Sequence, residues 1–89
     1  MAQTVKKEEK RFVIYAEGKE VYVEFDMNDD KMDLDHTYTH PDLRGRGLAA
    51  QVVGAALEYA KENNFRVVPT CSYVRSFINK NDEYKELVA

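Results

Sequence analysis

The chain is poor in the residues that cross-link or interrupt small proteins. It has one cysteine, two prolines, four glycines and no tryptophan. A single cysteine cannot close an internal disulfide, and no Cys/His spacing indicates a zinc or other metal site. No uncharged run is long enough to span a bilayer, and the charged N-terminus is not followed by the apolar stretch of a signal peptide. We therefore expect a cytoplasmic or organelle-matrix protein with no membrane partner.

The length and composition predict one small globular domain. The chain has 89 residues, of which 44% are hydrophobic and 33% are charged. This balance argues against disorder, and the length allows one domain rather than two. Because residues 1–10 are polar, we expect them to form a flexible tail ahead of a single domain at 11–89.

The charge is unevenly distributed along the sequence. Residues 1–35 carry 6 basic and 10 acidic side chains, net −4, whereas residues 36–89 carry 7 and 6, net +1. The overall pI of about 5.3 speaks against a nucleic-acid partner. The more basic second half suits a small anionic ligand, and the acidic first half suits a cationic substrate.

Alternation of apolar and polar residues predicts three strands in the first forty residues. Their short connections favour an antiparallel meander. The side chains expected on the core face are Phe12, Ile14 and Ala16 in the first strand, Val21, Val23 and Phe25 in the second, and Met32, Leu34, His36 and Tyr38 in the third.

The hydrophobic period changes after Pro41. Apolar residues at helical spacing predict an amphipathic helix over 49–60, with Asn63 and Asn64 as its end. A short apolar run at 65–70 predicts a buried fourth strand, and 72–79 predicts a second helix. The order is therefore β-β-β-α-β-α, an α/β (α+β) mixed sheet with one parallel crossover between the third and fourth strands.

The most informative segment is Arg44-Gly45-Arg46-Gly47-Leu48-Ala49, between a strand and the first helix. Its glycines allow a tight turn and a close approach to a ligand. The first N–H groups of a helix lack intrahelical partners and carry the positive end of the helix dipole. Such a loop suits a phosphate or pyrophosphate. The alternative is an ordinary strand-to-helix turn with solvated arginines.

This segment carries a resemblance to a known family. The spacing Arg44-x-x-Gly47-x-Ala49 resembles the acetyl-CoA signature of the GNAT acetyltransferases. Three further segments, His36-Thr37, 68–71 and 74–78, together with the loop and its preceding Pro41, resemble the small YjdJ-like branch of that superfamily. The resemblance covers essentially residues 11–88 and implies a minimal GNAT-like fold that binds acetyl-CoA.

The resemblance also implies how coenzyme A is held. Loop amides would hold the pyrophosphate, the third strand would pair with the pantetheine arm, and the splay between the third and fourth strands would admit the thioester. Arg75, with Lys80, could pair with the 3′-phosphate; the alternative is a solvated basic face. The expected cofactor-binding residues are Thr37, Tyr38, Thr39, Arg44, Gly45, Arg46, Gly47, Leu48, Ala49 and Arg75.

Two positions depart from the family pattern. Larger members often carry an Asn where this chain has Cys71, and a Tyr, proposed to protonate the leaving thiolate, where it has Ile78. A thiol at a helix N-terminus can be nucleophilic or serve as general acid, so Cys71 is a candidate catalytic residue; the alternative is a small buried hydrophobe. His36 is the candidate general base, and its alternative is a satisfied core histidine.

The expected activity is acetyl transfer from acetyl-CoA to an unidentified amine. The alternative is a non-catalytic acyl-CoA-binding module, either a sensor or a subunit completed by a partner. Larger family members continue past the second helix with strands that help to wall the acceptor site, whereas about ten residues follow Asn79 here. Neither the acceptor nor the oligomeric state follows from the sequence.

Overall fold

A computed structural model describes residues 4–89. Its strands and helices follow the two hydrophobic periods of the sequence. The strands are β1 (Lys6–Lys7), β2 (Arg11–Ala16), β3 (Lys19–Asn28), β4 (Lys31–Thr39) and β5 (Arg66–Val68). The helices are α1 (Leu48–Glu62) and α2 (Ser72–Lys80), with 3-10 segments at Pro41–Leu43 and Asp82–Leu87.

The strands form one five-stranded sheet in the order β1-β2-β3-β4-β5. The pairs from β1 to β4 are antiparallel, and β5 joins β4 in parallel after the α1 crossover. The predicted mixed sheet, with its meander and single parallel crossover, is confirmed. Asn64 takes a positive φ of 58° just after α1, as expected for an asparagine that ends a helix.

The segment at 1–10, expected to be a flexible tail, contributes a strand. Lys6 pairs with Val13 and Lys7 with Phe12, so β1 extends the sheet at its edge. The ammonium of Lys7 also lies 5.2 Å from the centre of the Tyr59 ring. Composition could not indicate this strand, because an edge ladder is held by backbone hydrogen bonds that polar residues make equally well. Residues 1–3 of the expected tail lie outside the described residues.

One face of the sheet, here called the inner face, carries the core. Both helices pack against it, and Gly54 of α1 approaches the ring of Phe77 of α2 to 3.8 Å, measured from an ideal Cβ. The opposite surface is called the outer face. The fully buried helix residues at the core are Val52, Val53, Ala56, Leu57, Ala60 and Val74.

The pairing of β3 with β4 contains a β-bulge. Glu24 pairs with His36, yet the next residue, Phe25, pairs with Leu34. Asp35 is therefore an extra residue in β4, with no partner of its own in β3. Since side chains alternate between faces, one extra residue exchanges the faces of every residue that follows it.

The bulge overturns one expectation about β4. Met32 and Leu34 are buried in the core as predicted, but His36 and Tyr38 are exposed. Their rings lie on the outer face beside Tyr22, at centroid distances of 6.2 and 5.4 Å. The prediction that His36 and Tyr38 would share the core face is wrong, because the alternation is interrupted at Asp35.

Candidate active site

The parallel strands β4 and β5 separate partway along their length. Their pairing ends at Asp33 and Val68, and a last hydrogen bond runs from the Cys71 N–H to the Leu34 carbonyl at 3.0 Å. Pro69 follows β5 and cannot donate to a ladder, which helps to end the pairing. Within residues 4–89, the β4 edge beyond Leu34 therefore has no strand partner, and a cleft opens there.

Backbone groups of the second half of β4 line this cleft. The His40 N–H donates to the Glu20 carbonyl of β3 at 3.2 Å. Successive residues point their backbone groups to alternate edges of a strand, so those of Tyr38 also face β3. The N–H and C=O groups of Thr37 and Thr39 then face the open edge. Of the three residues expected to pair with pantetheine, these two have backbone groups placed for it, and Tyr38 does not.

The loop before α1 requires its glycines. Gly45 and Gly47 have φ values of +80° and +74°, a left-handed conformation that other residues adopt only with strain. Gly47 is the N-cap of α1, where no side chain caps the helix. The Gln51 N–H donates to the Gly47 carbonyl at 3.3 Å. The backbone N–H groups in the first turn of α1 therefore have no side-chain cap, and they can donate hydrogen bonds to an anion.

An open pocket of about 210 Å³ lies at this loop. It joins the end of β4, the loop and the first turn of α2, and so brings together six of the ten predicted cofactor residues. Tyr73 also lines it. From the sequence alone, this tyrosine is a candidate donor near the cleft, but core packing explains it at least as well. The lining residues are Thr39, Leu43, Arg44, Gly45, Gly47, Leu48, Ala49 and Tyr73.

Arg46 turns away from this pocket. Its guanidinium forms an ion pair with the Glu17 carboxylate in the β2–β3 turn and donates to the Asp42 carbonyl at 3.3 Å. The hydrogen bond from Arg46 lowers the pKa of Glu17. Arg46 thus ties the loop to the sheet, and its contact with a pyrophosphate stays a prediction.

Arg75 is also occupied elsewhere. Its guanidinium donates to the Thr70 carbonyl at 3.0 Å and to the Pro69 carbonyl at 3.4 Å, both in the turn between β5 and α2. It does not line the pocket at the loop. The observed contacts of Arg75 tie α2 to the turn before it, and its pairing with the 3′-phosphate stays a prediction.

Cys71 occupies the N-cap of α2, on the inner side of the cleft. Its Sγ lies 3.2 Å from the Thr37 hydroxyl oxygen. Partial burial raises the pKa of the thiol, but hydrogen bonds from the Thr37 hydroxyl and from the backbone amides of Val74, Tyr73 and Thr37 outweigh it, so the pKa is lowered. A lowered pKa increases the thiolate fraction near neutral pH, and the thiolate is the reactive form.

His36 lies on the other side of β4. The bulge places its exposed ring on the outer face, whereas the Thr37 side chain next to it contacts Cys71 on the inner side. The two predicted catalytic residues therefore flank the open edge of β4 from opposite faces of the sheet. Sequence periodicity placed His36 on the core face and could not show this division.

Over residues 4–89, no group of three or more His, Cys, Asp or Glu side chains is placed to hold a metal ion. In the same range, no helix is long and apolar enough to cross a membrane.

The sequence also matches a known family. Residues 11–87 match the family model described as GCN5-related N-acetyl-transferase. The match covers most of the chain, so the protein belongs to the GCN5-related N-acetyltransferase (GNAT) family. The resemblance found in the loop and its neighbouring motifs is thereby confirmed.

Several proteins are similar to this chain. Protein NATD1 of Bos taurus is 38% identical over 50 residues, which cover 56% of this chain and 44% of that protein. Protein NATD1 of Gallus gallus is 34% identical over 50 residues, covering 56% and 46%. This chain thus matches less than half of the length of these curated relatives.

A solved structure shares the fold. The solution structure of a GCN5-like protein from Staphylococcus aureus superposes with a TM-score of 0.78 at 23% identity. The superposition covers 98% of this chain and 88% of that chain. This likeness confirms the expected GNAT-like architecture for nearly all of the protein.

Proposed function

We propose that the protein binds acetyl-CoA and transfers its acetyl group to an amine. The observation that carries the proposal is the separation of β4 from β5. On one wall of this cleft are backbone groups of β4 that no neighbouring strand pairs within residues 4–89. The cleft also holds a thiol with a lowered pKa and has the glycine loop at its end. Family membership supports the same reaction class.

Each part of the cleft suits one part of the coenzyme. The uncapped amides that open α1 suit the pyrophosphate, and Arg44 adds positive charge beside them. The backbone groups of Thr37 and Thr39 suit the amides of the pantetheine arm, since they can extend it like an added strand. An N–H of this edge can also polarise the thioester carbonyl, because negative charge develops on that oxygen during transfer.

The lowered pKa of Cys71 favours covalent transfer. In the first step the Cys71 thiolate attacks the thioester carbonyl carbon; the new S–C bond replaces the bond to coenzyme A, which leaves as a thiolate and takes a proton from water. In the second step a neutral amine attacks the acetyl-cysteine, forming the amide and restoring the Cys71 thiolate. His36 accepts the proton that the amine loses.

The position of His36 indicates that the amine approaches the cleft from the outer face of the sheet. The inner side of the cleft is closed by the helices and the core, whereas the outer face is open within residues 4–89. An acceptor that reaches the thioester from the outer face passes the exposed imidazole of His36. The base therefore stands where an ammonium group must lose its proton.

A second candidate function is a coenzyme-binding module without turnover. Ile78, at the position where larger family members often have a tyrosine, is 3% exposed and packs in the core, so it offers no acid to the cleft. The outer face is also uncovered in the described part of the chain, which suits a subunit completed by a partner. A cytoplasmic location and the lack of a nucleic-acid partner stay predictions.

Calorimetric titration with acetyl-CoA and with desulfo-coenzyme A tests the binding step. We expect Gly47→Asp to abolish binding, because it adds negative charge beside the pyrophosphate site. Gly18→Asp is a matched control: Gly18 also has a φ of +74° and also has open space around it, so it introduces the same strain outside the loop. Equal affinities for the two variants would contradict the proposed site.

Thiol release and intact-protein mass spectrometry test the chemical step. Wild-type protein incubated with acetyl-CoA should gain one acetyl group at Cys71 and release coenzyme A, and an added amine should remove that group. Cys71→Ala should bind the coenzyme and show neither event. Binding without acetylation and without amide formation would favour the non-catalytic module.

A further inference from the structure

The turn between β2 and β3 contains a residue that does not suit its backbone conformation. Ala16 pairs directly with Lys19, so Glu17 and Gly18 alone form the connection. Both have positive φ values, +55° at Glu17 and +74° at Gly18, as a type I′ hairpin turn requires. That turn favours Asn, Asp or Gly at its first central position, so a glutamate there is strained. A strained residue at an exposed turn points to a use for its side chain.

Two ion pairs of opposite sense join this turn to the glycine loop. The Glu17 carboxylate pairs with the Arg46 guanidinium, and the Lys19 ammonium lies 3.6 Å from the Asp42 carboxylate. The turn thus contributes one negative and one positive charge, and the loop segment presents the opposite charge to each. Arg46 also donates to the Asp42 carbonyl at 3.3 Å, which links the two pairs. We call the two ion pairs the hairpin clamp.

The middle of the glycine loop has few other restraints. Leu43 and Leu48 anchor its two ends, with exposed fractions of 0% and 5%, whereas residues 44–47 between them are exposed. Within residues 4–89, every side-chain hydrogen bond of 44–47 comes from Arg46. Since two of these four residues are glycines, the loop has many accessible backbone conformations, and a ligand that needs one of them loses affinity to the ordering entropy. Contacts that order the loop beforehand reduce that loss.

We propose that Glu17 and Lys19 are positioning residues for the coenzyme. Through Arg46 and Asp42 they hold the glycine loop in the conformation that directs the first amides of α1 at the pyrophosphate. The inference rests on the proposed binding of acetyl-CoA, and it gives a role in that binding to a turn that does not line the pocket. Arg46, which turns away from the pocket, serves the coenzyme by holding the loop.

The two turn residues separate positioning from simple charge attraction. Removing the Glu17 carboxylate makes the potential near the loop more positive, and by charge alone this strengthens the binding of an anion. Removing the Lys19 ammonium has the opposite effect on the potential. If the clamp positions the loop, both changes weaken binding. The sign of the change at Glu17 is therefore decisive.

Calorimetric titration with desulfo-coenzyme A measures these changes. Glu17→Gln and Lys19→Gln should each weaken binding about twofold, as expected for the loss of one exposed ion pair. The double variant has the net charge of the wild type and should bind about fivefold more weakly. Lys19→Arg keeps the positive charge and should recover most of the affinity that Lys19→Gln loses.

Limited digestion with trypsin reports on the loop in the absence of ligand. Cleavage after Arg44 requires a flexible loop, and the Arg44 side chain takes no part in the clamp. The rate of this cleavage, followed by mass spectrometry, should rise in Glu17→Gln and in Lys19→Gln. Thermal unfolding of each variant shows whether it is folded.

Two control variants test whether the effect is specific to the clamp. Lys10 lies 3.6 Å from Asp26 at the far end of β3, the same separation as in the second pair of the clamp. The double variant Lys10→Gln, Asp26→Asn therefore also removes an exposed pair without changing the net charge, and it should bind desulfo-coenzyme A like the wild type. Gly18→Asp keeps both pairs of the clamp, so it should not reproduce the loss expected for Gly47→Asp.

Three results would overturn the proposal. They are unchanged or tighter binding by Glu17→Gln, an equal loss of affinity in the Lys10→Gln, Asp26→Asn control, and an unchanged rate of cleavage after Arg44 in both clamp variants. If any of them appears while the wild type binds desulfo-coenzyme A, the proposed function stands and the positioning role is refuted. If the wild type does not bind, the proposed function fails, and the positioning role fails with it.

Discussion

The hydroxyl of Thr37 should control the reactivity of Cys71. It lies 3.2 Å from the sulfur, and its hydrogen bond is the largest of the influences that lower the pKa of the thiol. Thr37→Val removes this hydroxyl and nearly preserves the shape of the side chain. The backbone amides of Tyr73, Val74 and Thr37 keep their contacts with the sulfur. The substitution therefore isolates one hydrogen bond.

The magnitude follows from the strength of such a bond. A hydrogen bond to a charged group contributes about 1.5–3 kcal/mol. Sulfur is a weak acceptor and Cys71 is half-buried, so about 1 kcal/mol is a reasonable value for the loss, which changes an equilibrium constant roughly fivefold. At a pH below the pKa, the thiolate fraction of Cys71 should fall by that factor.

Alkylation by iodoacetamide, followed by mass spectrometry across a pH series, measures this fraction. In Thr37→Val the rate near neutral pH should fall about fivefold, and the midpoint of the pH profile should move upward. Thr39→Val is the control, because Thr39 lies on the same face of β4 without a hydrogen bond to Cys71. An unchanged rate in Thr37→Val, or an equal fall in Thr39→Val, would refute the reasoning.

Three further predictions concern packing and side-chain contacts. Leu57→Ala empties a fully buried site in α1 and should lower the free energy of unfolding in urea by about 3 kcal/mol; a loss below about 1 kcal/mol would mean that the core refills the cavity. Burial, with the 2.6 Å hydrogen bond to Glu58, raises the pKa of Tyr84 from 10.0 to about 12. Unfolding therefore releases its proton more readily, so stability should fall as the pH rises from 10 towards 12, and Tyr84→Phe should lose less over that window; identical pH profiles would contradict the assignment. Because Arg75 donates to the Thr70 carbonyl, Arg75→Ala should change the affinities for coenzyme A and 3′-dephospho-coenzyme A equally, and a selective loss for coenzyme A would instead assign Arg75 to the 3′-phosphate.

The sequence predicted the elements whose formation depends on neighbouring residues, namely α1 and the glycine loop before it. The apolar stripe from Ala49 to Ala60 defines α1, and two glycines at positive φ define the loop before it. Both features follow from the conformational preferences of neighbouring residues. The parallel crossover then follows from the presence of a helix between two strands. The glycine loop before α1 could therefore be predicted from the sequence, together with the family whose signature it carries.

Features that depend on the register of strand pairing could not be predicted from the sequence. Residues 31–39 alternate without a break, so the sequence contains no sign that Asp35 would be skipped in the pairing with β3. The ion pair of Arg46 with Glu17 joins residues 29 positions apart, and its existence depends on how the β2–β3 turn meets the loop. Strand pairing decides both, and pairing is a property of two segments together.

The open edge of β4 bears on how the protein behaves in solution. A strand edge with free N–H and C=O groups is a template on which another chain can add. The amide of Thr39 and the carbonyls of Thr37 and Thr39 are open to such pairing, whereas the Thr37 amide already contacts the Cys71 sulfur. The Thr39 amide hydrogen should therefore exchange with solvent faster than that of Thr37. A bound pantetheine arm would occupy the same groups. If the protein binds coenzyme A as proposed, rising coenzyme concentration should therefore reduce self-association through this edge.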